Sequence, residues 1–459
     1  MTAAAQWVQQ SDQFYLPAEH NWAFRDEYAA ADRLFNAFDY GHAILYEKLY
    51  TRQDAPVSLL EEEEYDFITR ELLVHPPRVP LEEGAIEIAY SKIAPEAKMM
   101  FDWAHVLHRQ IYDVWADEGI PPDGKDARVA ELLRYYRSRA DIAFSSVPKN
   151  MDLMEGQDYS LAFRREYPKF NGLIWAYHWL QVGLYEPLVT GKTVADRQTG
   201  VLAAVARFKQ MLEHPPEDMP RLMPMTAAIA PEFARRYPEA AIIFDNLHAM
   251  HDVISDVLAS PDVPRNRKRE EILKAGRRYR DSTSFAWTEQ EWRAMSRMMG
   301  VENMGGVAVG FLDSLPTPSV AVGASHADAM RHAESGGEMA GMDHSRMPGM
   351  QADSDHSAMG HSTGKERPDS RSSMMQMHRR MMADTVIRQR IMADTAMRRM
   401  MLEMQDAAKP EKQDRVPGTT RPPAEPSDTT ASPEDHGAME HGDTPAMKEN
   451  KPRSGQVSR

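Results

Sequence analysis

At 459 residues, with a formal net charge of −15, 32 methionines and no cysteine, the chain excludes several classes of function at once. The acid excess argues against a nucleic-acid footprint, and no basic cluster with interleaved aromatics is present. Without cysteine there can be no disulfide, thiolate metal site or thiol nucleophile.

Helical periodicity begins at Trp22 and runs to Thr51. An acidic helix from Leu59 to Leu73 stops at His75-Pro76-Pro77, and the stretch from Leu81 to Asp117 is divided at Ala94-Pro95. A capped helix over 126–144 follows Pro121-Pro122-Asp123-Gly124. Then come a strongly apolar segment from Phe170 to Tyr185, an amphipathic one from Val194 to Leu212, and a long one from Glu232 to Leu258. Two short basic helices at 267–280 and 288–299 complete the series, and Val307 to Leu312 is the one plausible strand. The pattern predicts an all-α multi-helix bundle of about 8–10 helices over residues 1–313.

The rest of the chain is different. Beyond Ser314 there is no aromatic residue, and Gly, Ser, Pro, Asp, Thr, His and Met dominate, so little surface can be buried to offset ordering entropy. We expect a Met/His-rich disordered tail over 314–372, a Met- and Arg-rich helix over 373–405, and disorder over 406–459. In the helix, Met382-Ala383-Asp384-Thr385 recurs as Met392-Ala393-Asp394-Thr395. Such a surface suits a protein partner or an anionic membrane surface.

Within the bundle, Phe-Asp-x-x-His occurs three times, placing Asp39 with His42, Asp102 with His105, and Asp245 with His248. The second and third copies add His108 and His251, and Asp113 and Asp256 follow at matching positions. Residues three apart share a helix face, so each copy sets a carboxylate beside an imidazole. The apolar segment adds His178 within Trp175-Ala176-Tyr177-His178-Trp179. Imidazole and carboxylate together bind Fe, Mn, Zn or Cu. A division of labour with His as ligand and Asp as acceptor for the other ring nitrogen is equally open. The arrangement is analogous in design to the Glu-x-x-His pairs of ferritin-like di-iron bundles, with Asp in place of Glu. If a metal sits here, the second and third motif helices should face each other around it.

In the tail, Met342-Asp343-His344-Ser345-Arg346-Met347-Pro348-Gly349-Met350 is echoed by Asp355-His356-Ser357-Ala358-Met359-Gly360-His361. These strings resemble the Met-Asp-His-Ser-x-Met repeats of bacterial copper-resistance and periplasmic copper-binding proteins. The resemblance implies copper ligation by Met342, His344, Met347, Met350, His356, Met359 and His361, with His326, Met330 and His332 upstream as further candidates. Thioether sulfur favours Cu(I), while imidazole accepts both copper oxidation states.

The sequence therefore predicts a transition-metal-handling protein, with copper in the tail and a His/Asp site in the bundle. A di-metal oxidase is the enzyme alternative, and a metal-free scaffold with buried Asp–His hydrogen bonds is the third. Bis-histidine haem is disfavoured, because carboxylates would lie against an apolar macrocycle. No run reaches the roughly 18 apolar residues of a membrane span, and the N-terminus lacks a signal-peptide pattern. The expected location is the cytoplasm, or the periplasm or cell envelope if a leader precedes this start.

Overall fold

The computed structural model describes residues 14–53, 55–80, 86–308 and 315–334. Within these the fold is all-α, and one isolated bridge, Lys149 to Ala286, is the sole extended pairing among the described residues. Val307 and Ala308 are irregular, and the remainder of the expected strand lies outside the described residues.

In chain order the helices are α1 (Ala23–Glu27), α2 (Ala29–Thr51), α3 (Val57–Phe67), α4 (Ile88–Ile93), α5 (Pro95–Ala116) and α6 (Pro122–Arg137). They continue as α7 (Asp152–Glu155), α8 (Ala162–Glu166), α9 (Pro168–Gly183), α10 (Tyr185–Thr190), α11 (Val194–Met211) and α12 (Thr226–Ile229). The last are α13 (Pro231–Arg236), α14 (Pro238–Ala259), α15 (Arg265–Arg280), α16 (Glu289–Met298) and α17 (His326–Glu334). Prolines set many of the starts, because the first helical position needs no N–H. Pro95, Pro168, Pro231 and Pro238 all stand there. The segment expected as one helix from Glu232 to Leu258 is split at Tyr237-Pro238, as Ala94-Pro95 splits its counterpart. The residue before a proline is pushed out of the helical region. The helix expected over 126–144 is α6, which starts at the proline pair and ends at Arg137.

The bundle is built twice. Ala23-Phe24-Arg25-Asp26-Glu27-Tyr28 recurs as Ala162-Phe163-Arg164-Arg165-Glu166-Tyr167, and Leu45-Tyr46-Glu47 as Leu184-Tyr185-Glu186, at a shift of 139 residues. From α4 to α6 the matching shift is 143 residues, which carries Phe101 to Phe244 and Lys125 to Lys268. Equivalent residues do equivalent work. α1 and α8 each begin after a left-handed residue, Trp22 at φ 72° and Leu161 at φ 68°. Asp113 accepts from the Phe24 amide at 2.9 Å, and Asp256 from the Phe163 amide at 2.8 Å. Glu47 accepts from the amides of Ala89 and Tyr90, and Glu186 from those of Glu232 and Phe233. These carboxylates satisfy orphan N–H groups at the positive ends of short helices. The Lys125 ammonium donates to the Val114 and Asp117 carbonyls, and Lys268 to those of Val257 and Ser260, closing the C-terminal ends of α5 and α14.

Contacts between the halves are reciprocal. The Tyr46 hydroxyl donates to the His251 carbonyl at 3.0 Å, while its equivalent, Tyr185, donates to the His108 carbonyl at 2.8 Å. The Phe101 ring packs on His251 and the Phe244 ring on His108, both at 4.0 Å between centroids. Such exchange is what an isologous pairing of two similar units produces.

The packed region extends past the expected boundary at 313. Asn303 bonds Ser319, Arg164 donates to the Ala324 carbonyl, and His326 pairs with Glu155. Val320 and Ala329 are buried, so 315–334 belongs with the bundle despite its lack of aromatics. Polar anchoring replaces the missing apolar area. Met342, His344, Met347, Met350, His356, Met359, His361 and the segment 373–405 lie outside the described residues.

Candidate metal centre

Four helices bring six histidines into the core: α2 supplies His42, α5 His105 and His108, α9 His178, and α14 His248 and His251. All six are buried, and α9 is apolar on every side, so His178 cannot reach solvent. α5 and α14 do face each other across this group, since His108 and His248 lie 6.3 Å apart and His105 and His251 5.8 Å. Phe38, Phe101 and Phe244 wall the group with rings centred 4.0 Å from His42, His251 and His108.

Three of the imidazoles converge. Each of His42, His178 and His251 offers one ring nitrogen within 4.8 Å of the other two. Nε2 of His178 and Nδ1 of His251 are 3.1 Å apart. Two nitrogens on one tetrahedral metal at about 2.0–2.1 Å would stand roughly 3.3 Å apart. Their ring centroids are 4.4, 5.2 and 5.4 Å apart, close to the roughly 5 Å that shared ligation gives.

The protonation states favour ligation. Burial, with the neighbouring imidazoles adding to it, holds His42, His108, His178 and His251 well below the usual histidine pKa, and lowers His248 to about 3. Neutral imidazole is the metal-binding form. Neither ring nitrogen of His248 has a hydrogen-bond partner, nor does Nδ1 of His178 or Nε2 of His108. A buried polar atom left unpaired costs about 1–3 kcal/mol, and a bound ion would give such nitrogens a partner.

The carboxylates of the motif take other partners. Asp102 sits at the flank of α5, partly exposed, and pairs with Lys98. Asp245 accepts from the Thr226 amide and hydroxyl and from Trp292 Nε1, anchoring α12 and α16, and burial raises it to about 7. Only Asp39 stays near the histidines, with Oδ1 at 3.8 Å from His105 Nδ1 and Oδ2 held by Arg109 at 2.7 Å. The donors that converge are therefore imidazoles, and Asp39 stands beside His105 without a hydrogen bond to it. The motif presents Asp39, Asp102 and Asp245 alike; helix rotation separates them. Of the upstream tail candidates, His326 is committed to Glu155.

Two further residues, which no motif marks, bear on the centre. Tyr185 holds Nδ1 of His108 at 2.8 Å, and Arg109 bridges Asp32 and Asp39. The one legible signal for Tyr185 was its match to Tyr46 at the 139-residue shift. The haem reading meets a steric obstacle, because His178 stacks on His248 at 4.1 Å and leaves no slab for a macrocycle there.

A cleft lined by Tyr15, Trp22, Arg25, Asp32 and Arg109 approaches the centre from the first half. Phe35 both lines it and packs edge-on against His105 and His108. No described helix is long and apolar enough to cross a membrane. Neither a family model, nor a curated protein, nor a solved structure matches this chain.

Proposed function

We propose that this chain is a transition-metal-handling protein, whose bundle holds a metal ion on His42, His178 and His251 and whose tail collects copper. The observation that carries the reading is the convergence of three buried, neutral imidazoles within 4.8 Å. Three nitrogen donors without a carboxylate suit copper or zinc better than manganese or magnesium. Burial sharpens the choice, because a monovalent ion costs less to desolvate than a divalent one in a neutral site. Cu(I) is therefore the favoured occupant, and it is also the ion that the thioethers of Met342, Met347, Met350 and Met359 select.

The division of labour is capture by the Met/His-rich tail and retention by a closed site. Tail ligands exchange quickly and need no deprotonation, while the core ligands are preorganised and shielded from water. The cell envelope is the compartment in which a cysteine-free copper collector would be useful, and the segment 373–405 would provide a docking surface for a protein or an anionic membrane.

The test is competition with a Cu(I) chelator, using the full chain, a His251→Ala variant, and a chain with the tail ligands from Met342 to His361 replaced. We expect one tightly retained ion to disappear in His251→Ala, and the weaker, faster-exchanging ions to disappear in the tail variant. Copper retention unchanged in His251→Ala would overturn the core assignment. Retention unchanged in the tail variant would overturn the capture role.

A further inference from the structure

We propose a further Cu(I) site on the far side of α14, in a cavity lined by Met151, Met154, Met223 and Met225, with thioether sulfur as the donor. It shares no ligand with the trihistidine group, so either can stand without the other.

The four methionines arrive as two pairs. Met151 and Met154 are three residues apart at the start of α7, where Met151 already has helical φ and ψ, and residues at that spacing share a face. Met223 and Met225 are two apart in the loop before α12. Met223 precedes a proline, which favours extended backbone, and Met225 is extended at φ −94° and ψ 126°. Alternate residues of an extended chain point to one side. Both pairs line the same cavity, and all four residues are buried.

Methionine is also the usual filler of irregular core gaps. Two observations set this place apart from filling. Four adaptable side chains surround the space and still leave room on the scale of a single water molecule or ion. Tyr279 lines it too, and its buried hydroxyl has no hydrogen-bond partner. Ordinary packing would close the first and pair the second, since an orphaned buried hydroxyl costs about 1–3 kcal/mol.

Donor chemistry selects the ion. No imidazole stands among the described residues that line the cavity, and its two charged groups are engaged elsewhere. Asp245 accepts from Thr226 and Trp292, and the Lys149 ammonium donates to the Asp281 and Ser284 carbonyls. What remains is neutral thioether, which favours Cu(I) over zinc, manganese or magnesium. A neutral buried site also desolvates a monovalent ion at lower cost than a divalent one.

The position is distinct from the core centre. Ile242 and Ala249 of α14 form part of the lining, and at 100° per residue they lie about 180° and 160° around the helix from His251. The two groups therefore stand on opposite sides of one helix, whose diameter with side chains is roughly 10 Å. Asn150, also in the lining, is partly exposed, so the cavity meets the surface.

The test follows the full chain by NMR, isotope-labelled at the methionine methyls and titrated with Ag(I), a redox-stable ion of the same charge and softness as Cu(I). Methionine-to-leucine substitutions, which nearly conserve volume, assign the four signals. We expect the methyls of Met151, Met154, Met223 and Met225 to shift together, and to do so equally in His251→Ala. Met223→Leu should lose the concerted shift of the other three; where it fails to fold by circular dichroism, Met154→Leu takes its place. Four methyls that stay fixed while those of the tail move would overturn the site and leave a water pocket or packing gap. An undiminished shift of the other three in Met223→Leu would overturn it as well. So would shifts that vanish in His251→Ala, because they would be transmitted from the trihistidine group. Chelator competition on His251→Ala reads that group separately, so the two failures are distinguishable.

Discussion

The two halves of the bundle agree where they hold the fold together and disagree at the histidine-lined centre. Asp113 and Asp256 cap equivalent helices, Glu47 and Glu186 do the same one layer away, and Lys125 and Lys268 close equivalent helix ends. At the centre the match fails: Asp39 stands against His178, His42 against Gln181, and Arg109 against Asp252. Gln181 is buried with neither its side-chain oxygen nor its nitrogen hydrogen-bonded. With the scaffold kept and these side chains changed, the described residues hold one converging trihistidine group rather than two equal ones.

That comparison can be broken at its strongest point first. His251→Ala should lower metal affinity by at least about 100-fold, roughly 2.7 kcal/mol, whereas His108→Ala, at the equivalent position, should spare the tight ion. Equal losses measured by chelator competition would mean that the halves contribute symmetrically.

The structural pairs should behave in the opposite way. Asp256→Ala and Asp113→Ala each expose buried helix N–H groups and should cost about 2–3 kcal/mol in urea unfolding. A difference beyond about 1 kcal/mol between them would show that the repeat is not energetically symmetric.

The histidines also set a pH dependence. A group whose folded pKa is depressed leaves the unfolded chain holding more protons below about pH 6.5, so its contribution falls as pH falls. For His248 the window runs from about 6.5 down to its folded value of about 3. The raised carboxyls Asp113, Asp245 and Glu186, each at about 7, work in the opposite direction, so the difference between variants is the clean measurement. Metal-free His248→Phe should gain on the native chain by up to about 1.4 kcal/mol per pH unit below 6.5. A pH-independent difference would show that His248 is already protonated in the fold.

The smallest expected effect concerns entry. Phe35 separates the first-half cleft from His105 and His108, and its counterpart is Ile174. Phe35→Ala should speed metal release several-fold in stopped-flow chelation, with Ile174→Ala changing it little.

Much of this protein was settled locally. Apolar periodicity, prolines at first helical positions and the absence of strand signals determine an all-α bundle, because helix formation depends on neighbours within a few residues. The Asp-x-x-His-x-x-His pattern likewise places its histidines on one side of a helix at about 100° per residue. Which part of that arc faces the core depends on how the helix is rolled against its neighbours. Packing turns His105 and His108 inward and leaves Asp102 at the edge with Lys98, while Asp245 is drawn to Thr226 and Trp292. The trihistidine group joins His42, His178 and His251 from three helices far apart in sequence, and no local pattern could choose those three among six. Only the reciprocal docking of the two halves does that, since a metal site is defined by distances between side chains and not by their spacing along one helix.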